Sequence, residues 1–188
     1  MEQCTELEVQ RLLELVPEWR RRKALDFKHV LGQYTSLKSY VMLQGLLVEH
    51  GIVLEGVLPD FEYGAHGKPR LRNIGSVHFS LSHTRRAIAV AIGDHPVGVD
   101  VEGFRLPSDQ LLKYTLNTKE LMRVRKAEHP EQEFALLWTQ KEALFKYTGL
   151  GINSSIKELL TQMPRSAIME SSLNAEKGYA LTVVRSKD

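Results

Sequence analysis

Residues 77–102 read VHFSLSHTRRAIAVAIGDHPVGVDVE, and this stretch decides the fold because strand-like alternation and chemically useful side chains coincide in it. Successive side chains of a strand point to opposite faces, so Phe79 and Leu81 face one way while the serines next to them face the other. The apolar run at residues 87–92 predicts a second strand that is covered on both faces. Two neighbouring strands are therefore expected, with polar side chains where the first one ends.

A third strand is predicted at residues 97–102, and it carries two acidic side chains. Its valines point to one face and Asp100 and Glu102 to the other, with Cα atoms about 6.5 Å apart after two residues of strand rise. Two carboxylates at that spacing can share one hard divalent cation. The alternative is the solvent face of an amphipathic strand. Ser82 and His83 likewise have an alternative as a turn pair whose hydroxyl caps an amide.

Length and composition indicate an ordinary globular protein. The 188 residues suffice for one domain or two small ones, and 43% hydrophobic with 26% charged residues is typical of such chains. The single cysteine, Cys4, gives no disulfide framework and no zinc cluster, so we expect a reducing, cytoplasmic location. We find no signal peptide and no run near the roughly 20 apolar residues that span a bilayer, so no membrane association is expected. A net charge of +2 gives no argument for nucleic-acid binding, and none is expected.

The N-terminal part predicts helices followed by short extended pieces, from the spacing of apolar residues and from capping signals such as Thr5 with Glu8. We predict helices at residues 5–16, 17–31 and 36–50, and short strands at residues 52–54 and 61–63. The second helix carries the densest basic cluster, with Arg20 and Arg22, and Lys38 falls in the first turn of the third. This cluster is either a solvated helix face or a site for a phosphorylated ligand or acidic partner.

The tripeptide Gly67-Lys68-Pro69 is a short loop in which the backbone restrains a lysine. Glycine lets the chain turn and proline fixes its exit, so the ammonium group of Lys68 has little freedom to move. Short matches of this kind are weak. An ordinary loop with a solvated lysine remains the alternative.

Residues 103–108 look like a crossing between two halves of the chain, so we predict subdomains at residues 1–102 and 103–188. In a helix predicted at residues 118–126, Glu120 is a third candidate carboxylate or simply a favourable acidic residue in a first helical turn. Strands are predicted at residues 167–169 and 179–184.

The helix predicted at residues 131–148 and closed by Gly149 holds the second group of charged side chains. At about 100° per residue its apolar side chains form one arc, and Lys141 lies inside that arc. A lysine there must reach out to water or meet an anion. Glu142 and Lys146 lie one turn apart at the edge of the arc, where the alternative to a functional role is an i,i+4 pair worth only about 0.3 to 0.5 kcal/mol.

Five segments, taken in order, resemble the 4′-phosphopantetheinyl transferases of the surfactin-synthetase-activating type, in the superfamily of holo-acyl-carrier-protein synthases. They are GKP at 67–69, FSLSH at 79–83, VGVDVE at 97–102, WTQKEALFK at 138–146 and GLG at 149–151. Each segment is weak alone, but the ordered set is highly specific. The resemblance implies an α+β protein of two pseudo-symmetric subdomains, with coenzyme A in the cleft between them.

The resemblance also implies the site. The metal ligands it implies for Mg²⁺ are Asp100, Glu102 and Glu142, with Glu120 at a further acidic position near the metal. The residues it assigns to the phosphates and nucleotide of coenzyme A are Lys68, Ser82, His83 and Lys146. The family commonly carries an arginine for the 3′-phosphate near residues 35–38, where this chain has only Lys38. Arg20 and Arg22 are therefore further candidates for that contact.

The implied activity is Mg²⁺-dependent transfer of 4′-phosphopantetheine from coenzyme A to a serine of an apo acyl or peptidyl carrier protein, with release of adenosine 3′,5′-bisphosphate. Carboxylate oxygens suit Mg²⁺, and lysines suit the charge that develops on phosphate oxygens. The residues with a catalytic role are then Glu142, Lys146 and Asp100, and Glu142 accepts the serine proton directly or through a metal-bound water. We expect a monomer. The alternatives are a catalytically silent coenzyme A or carrier-binding module and a Mg²⁺-dependent nucleotide phosphodiesterase.

Overall fold

The computed structural model describes residues 4–64, 67–72, 74, 77–149 and 156–187. The helices are Glu6–Glu14 (α1), Glu18–Leu25 (α2), Val30–Glu49 (α3), Asp109–Thr115 (α4), Thr118–Lys126 (α5) and Pro130–Thr148 (α6), with a 3₁₀ helix at Ile156–Gln162. The strands are Phe61–Tyr63 (β1), Pro69–Leu71 (β2), His78–His83 (β3), Ile88–Gly93 (β4), Val97–Gly103 (β5), Ala167–Asn174 (β6) and Tyr179–Ser186 (β7). Among the helices described, none combines the length and apolarity that a bilayer crossing needs.

The strands form three antiparallel groups, β1–β2, β3–β4 and β5–β7–β6. Helices and antiparallel sheets in one chain confirm the predicted α+β class. Pseudo-symmetry between the two halves stays a prediction. The GLG motif at 149–151 extends outside the described residues, since residues 150–155 are not among them.

The helix boundaries in the N-terminal part differ from the prediction. α3 begins at Val30 rather than at residue 36, and α2 ends at Leu25 rather than at residue 31. Thr35, the residue before the predicted start, lies inside α3 instead, where its hydroxyl donates to two main-chain carbonyls of the preceding turn. Lys38 consequently lies well inside the helix and not in its first turn.

The strand predicted at residues 52–54 is absent from the described structure. The amides of Ile52 and Val53 both donate to the carbonyl of Leu47, so the chain folds back onto the end of α3 instead of extending. Gly51, with a φ of 66°, permits this reversal at low cost. Extended structure starts only at Phe61, where β1 confirms the second short strand that was predicted.

The β3–β4 hairpin confirms two predicted strands but not the predicted burial of the second. Every residue of β4 is half-buried rather than covered on both faces. Among the described strands β4 hydrogen-bonds only to β3, and although it packs against α3 and β5, side chains on both of its faces keep some exposure. Beneath it, α3 and β1 to β3 enclose an aromatic core that includes Tyr40, Phe61 and Phe79.

β5 is buried on both faces because α6 lies directly on it. A Cβ atom at Gly98 would overlap the carbonyl oxygen of Ala143 and the amide of Tyr147, so only glycine permits this approach of helix and strand backbones. Asp100 is only 6% exposed, and this excludes the solvent-face interpretation for its side chain. The side of the strand that carries the acidic residues is therefore an interior face.

Serine hydroxyls join the N-terminal hairpin to β5. The amide of Val99 donates to Ser80 Oγ at 2.9 Å, and the amide of Val101 donates to Ser82 Oγ at 3.3 Å. β5 itself hydrogen-bonds to β7 of the C-terminal sheet. The boundary predicted between residues 102 and 103 thus falls inside a strand that contacts both halves, and the division at that point stays a prediction.

Candidate active site

Asp100 lies at the centre of the candidate site, where β3, β5 and α6 meet. Its Oδ1 accepts hydrogen bonds from Ser82 Oγ and from Lys146 Nζ, each at 2.7 Å. Lys146 also donates to the main-chain carbonyls of Leu81 at 3.3 Å and Val99 at 3.0 Å. The lysine side chain is 29% exposed and that of Asp100 is 9% exposed, so the ion pair is sheltered but remains in reach of solvent.

Two further carboxylates crowd this pair. Burial raises the pKa of Glu142, the negative charges of Asp100 and Glu102 raise it further, and Lys146 opposes them. Burial also raises the pKa of Glu102, where Arg105 opposes the rise and Asp100 adds to it. Three carboxylates therefore share one partly buried neighbourhood, in which burial and the charge of Asp100 both disfavour the charged forms of Glu102 and Glu142.

The donor chemistry of this cluster fits Mg²⁺. Hard divalent cations take carboxylate oxygens, and a cation here would offset the burial and the repulsion that together raise the pKa values of Glu102 and Glu142. In the described part of the chain, no three His, Cys, Asp or Glu side chains converge closely enough to hold a metal as they stand. Asp100 is engaged with Lys146 instead, so metal binding would require the side chains to rearrange. The ligand set Asp100, Glu102 and Glu142 stays a prediction.

Glu120 is engaged elsewhere. Its Oε2 accepts from Lys141 Nζ at 2.7 Å and from the amide of Asn117 at 3.0 Å, which completes the capping box of α5. Lys141 is fully buried, and the structure confirms that its ammonium group meets an anion. The metal role predicted for Glu120 finds no support, because its carboxylate is already committed to a buried lysine and a helix cap.

Lys68 ties the loop before β2 to the rest of the site. Its ammonium group donates to the main-chain carbonyls of Val97, at 3.3 Å, and Lys146. Because the second carbonyl belongs to the last turn of α6, Lys68 caps that helix. Burial lowers the pKa of Lys68, and Arg70 lowers it further. A cavity of about 260 Å³ lies beside these groups, lined by Lys68, Phe79 and Lys146 among others. The phosphate contact expected of Lys68 stays a prediction.

His83 borders a second cavity of about 260 Å³ at the end of β3. Lys28, His29 and Arg85 line the same cavity and give it a basic character. Partial burial lowers the pKa of His83, and Lys146 and then Arg20 lower it further. Sequence reasoning missed His29 and Arg85 as site residues, and the only signal for Lys28 was its place in the N-terminal basic cluster.

The other three basic candidates have separate settings. Arg20 is 7% exposed, donates to the carbonyl of Ser36 and lies over the ring of Tyr40, so it joins α2 to α3. Arg22 is exposed and pairs with Glu18 at 3.0 Å. Lys38 is half-buried on α3. Arg20 therefore has a structural role, and phosphate contacts by these side chains stay predictions.

Comparison with known proteins shows which family these features resemble. The sequence profile of the 4′-phosphopantetheinyl transferase superfamily matches residues 96–184, which contain Asp100, Glu102, Glu142 and Lys146. A 4′-phosphopantetheinyl transferase of Bacillus pumilus is 28% identical over 83% of this chain and 67% of its own length. The 4′-phosphopantetheinyl transferase Sfp of Bacillus subtilis is 24% identical over 78% of the chain and 66% of its own length.

A shorter match has higher identity. The 4′-phosphopantetheinyl transferase AcpT of Salmonella typhimurium is 36% identical over 99 residues, which are 49% of this chain and 50% of that protein. The chain spans about two thirds of the length of the two Bacillus relatives. The profile match and these relatives agree with the segments that form the site, and they confirm the resemblance of the chain to the 4′-phosphopantetheinyl transferase superfamily.

Proposed function

We propose that the chain is a Mg²⁺-dependent 4′-phosphopantetheinyl transferase, which moves the phosphopantetheine group of coenzyme A to a serine of an apo carrier protein and releases adenosine 3′,5′-bisphosphate. The observation that carries the proposal is the crowding of Glu102 and Glu142 around the Asp100–Lys146 ion pair. Such a cluster suits a reaction in which negative charge develops on phosphate oxygens. We further propose that the protein acts as a monomer in the cytoplasm.

The residues of the chain have distinct roles in this reaction. Mg²⁺, bound by Asp100, Glu102 and Glu142, would supply charge neutralisation at the pyrophosphate. Lys146 is held near Asp100 and exposes part of its side chain, so its ammonium group can turn to a phosphate oxygen of the coenzyme. Glu142 would accept the serine proton directly or through a metal-bound water, because burial raises the pKa of its carboxylate while a bound Mg²⁺ would lower it.

The cavity beside His83 is the place we propose for the nucleotide phosphates. Lys28 and Arg85 line it together with His29 and His83, and the positive charges of the lysine and the arginine favour an anionic ligand. Ser82 links this cavity to the carboxylate cluster, because its hydroxyl donates to Asp100 while His83 follows it directly in the chain. The coenzyme would then extend from the basic cavity towards Lys146.

Carrier docking is proposed at residues 104–116, where the segment before α4 and α4 itself expose apolar side chains near basic ones. The exposed apolar residues are Leu106, Leu111 and Tyr114. Leu112 of the same helix is buried in the core and does not belong to this surface. An acidic carrier would meet the exposed Arg105 beside them.

The docking surface is tested by steady-state kinetics with Arg105→Glu and Leu111→Ser. Both variants should raise the KM for the carrier, because one reverses a rim charge and the other removes an apolar contact. The KM for coenzyme A should not change. An unchanged carrier KM in both variants would place docking elsewhere.

The proposed function is tested by weighing a carrier. The protein is incubated with Mg²⁺, coenzyme A and an apo carrier, and the carrier is analysed by mass spectrometry. A gain of one phosphopantetheine group is expected, and it should disappear with a chelator or with a carrier whose acceptor serine is alanine. Cleavage of coenzyme A without a carrier would favour the phosphodiesterase alternative. Binding without any product would favour the silent module.

A further inference from the structure

Lys141 brings a positive charge into the interior of the protein, one residue before Glu142. Its side chain is 0% exposed. The acceptors of its ammonium group are Glu120 Oε2 at 2.7 Å, Ile156 O at 2.8 Å, Thr115 O at 2.9 Å and Lys157 O at 3.2 Å. The buried charge is thus fully provided with hydrogen-bond partners.

These acceptors belong to three elements that pack on α6. Thr115 is the last residue of α4, Glu120 lies in the first turn of α5, and Ile156 begins the 3₁₀ helix. One ammonium group therefore holds the ends of three elements against one position of α6. Hydrogen bonds are directional, so these contacts fix the rotation of α6 about its own axis. Apolar packing alone, which is not directional, would leave that rotation less well defined.

Stability alone is a weak explanation for such a pair. A buried ion pair often contributes little net stability compared with apolar side chains of similar volume, because both charges lose their hydration. The best-attested use of buried polar groups is to specify one arrangement among several. The arrangement specified here is the orientation of the helix that carries Glu142 and Lys146.

On the opposite side of α6, which faces β5, the directed side-chain contacts include those of Lys146, which belongs to the site itself. Gly98 has no side chain, and the strand backbone lies directly on the helix backbone at Ala143. A rotation of α6 about its axis would carry Glu142 and Lys146 away from Asp100. The contacts of Lys141 resist that rotation from the other side.

We propose that the Lys141–Glu120 ion pair sets the rotation of α6 and so positions Glu142 and Lys146 over Asp100. Lys141 and Glu120 are then positioning residues, and neither contacts the metal or the coenzyme. This inference rests on the proposed function. It assigns Glu120 a role different from the metal contact that the sequence resemblance implied.

The test compares Lys141→Met with Leu137→Ala. Methionine keeps most of the length of lysine but removes every directed contact of its ammonium group. Leu137 lies one turn earlier on the same helix, is 1% exposed and packs against α4 and α5 residues, so its truncation removes packing only. Both variants should lower the Tm.

The two variants should differ in function. Lys141→Met should lower kcat at saturating substrates by about 10²-fold, since displacements near 1 Å of reacting groups have effects of that size. It should also weaken Mg²⁺ binding, measured by calorimetry, by about 10- to 100-fold, as loss of a group that orients metal ligands does. Leu137→Ala should leave both quantities near those of the wild type. Equal losses in the two variants, at an equal fall in Tm, would overturn the proposal.

Glu120→Gln gives a second, milder test if Lys141→Met does not fold. Glutamine keeps an oxygen for the Asn117 amide and for Lys141 but removes the negative charge. We expect smaller losses of kcat and of Mg²⁺ affinity, and wild-type values for both would overturn the proposal. A wild type that transfers nothing would refute the proposed function, while the Mg²⁺ affinities of the variants would still decide on the ion pair.

Discussion

Two ion pairs of α6 lie in opposite settings. We call Lys146 with Asp100 the open pair and Lys141 with Glu120 the enclosed pair. Both lysines contact one carboxylate and several main-chain carbonyls, but the side chain of Lys146 is 29% exposed and that of Lys141 is 0% exposed. A lysine in reach of solvent can exchange its partners for a phosphate, whereas an enclosed one cannot. The open pair therefore lies on the side of α6 that takes part in the proposed reaction, and the enclosed pair lies on the side that fixes the orientation of the helix.

The largest loss of transfer activity is expected from removing the carboxylate of the open pair. Asp100→Ala removes a proposed Mg²⁺ ligand and leaves Lys146 without its carboxylate, so transfer should fall to background. Carrier modification across a Mg²⁺ titration checks this. Asp94→Ala, at an exposed bend before β5, is the matched control and should retain activity. Near-normal activity of Asp100→Ala at every Mg²⁺ concentration would refute the metal assignment.

A smaller effect is expected from neutralising Glu142, which lies between the two pairs in sequence. Glu142→Gln keeps the shape and one oxygen but removes the charge that accepts a proton. The kcat should fall by roughly 10²- to 10⁴-fold, the usual range for a general base. The Kd for coenzyme A should change by less than about tenfold, or ~1.4 kcal/mol, because the phosphate contacts lie elsewhere.

Single-turnover transfer alongside calorimetry checks the Glu142 prediction. Glu131→Gln, in the first turn of the same helix, serves as the control and should behave as the wild type. Coenzyme A binding that collapses as steeply as the rate would make Glu142 chiefly a residue for metal assembly. Survival of both quantities would mean that Glu142 takes no part in the reaction.

The elements that the sequence predicted well are those with local signals. The helix at residues 118–126 was predicted to the residue, because the acidic side chain of Glu120 opens its first turn, where Asn117 and Glu120 cap each other. α6 begins at Pro130 and ends before Gly149, which has a φ of 67°. Both of its ends are therefore marked by residues that are typical of helix boundaries. α3 was misplaced because the hydroxyl of Thr35 bonds back within the helix, which sequence alone does not distinguish from a cap.

The site was predicted in parts, and the parts were joined by tertiary contacts. Alternation placed Asp100 and Glu102 on one strand face, but their meeting with α6 depends on the close approach at Gly98. The sequence indicated that Lys141, inside an apolar arc, must reach water or meet an anion, and it gave Glu120 as a third candidate carboxylate. Their pairing across 21 positions follows from how α5 packs on α6 and has no local signal.

A third effect concerns the backbone contact between the two halves of the site. Gly98→Ala would place a Cβ atom against the backbone of Ala143 and Tyr147, so α6 must move away from β5. Overpacking of this kind costs about 1 to 3 kcal/mol in the free energy of unfolding, and the displaced open pair should lower activity as well. Urea denaturation with parallel transfer assays measures both.

Gly45→Ala is the matched control for that change. Gly45 lies in α3, and no neighbouring side chain or strand comes within 4 Å of the position that a Cβ would take there. Alanine at this position should therefore be neutral or stabilising by up to about 1 kcal/mol. If Gly98→Ala were as stable and active as Gly45→Ala, the direct contact between β5 and α6 would not be a constraint on the site.

The smallest effect is expected at Arg22, whose ion pair is more open than either pair of α6. Its side chain is 78% exposed and that of its partner Glu18 is 63% exposed. Arg22→Ala should change the free energy of unfolding by less than about 0.5 kcal/mol, as for other exposed pairs.

If Arg22 is only solvated, the affinities of Arg22→Ala for coenzyme A and for dephospho-coenzyme A, which lacks the 3′-phosphate, should fall slightly and to the same extent. Calorimetry with both ligands measures the two affinities. Glu18→Gln is the control, because it removes the ion-pair partner of Arg22 and keeps the arginine. A tenfold loss confined to coenzyme A, about 1.4 kcal/mol, would instead show that Arg22 holds the 3′-phosphate, and solvent exposure alone would then not separate phosphate-binding cations from structural ones.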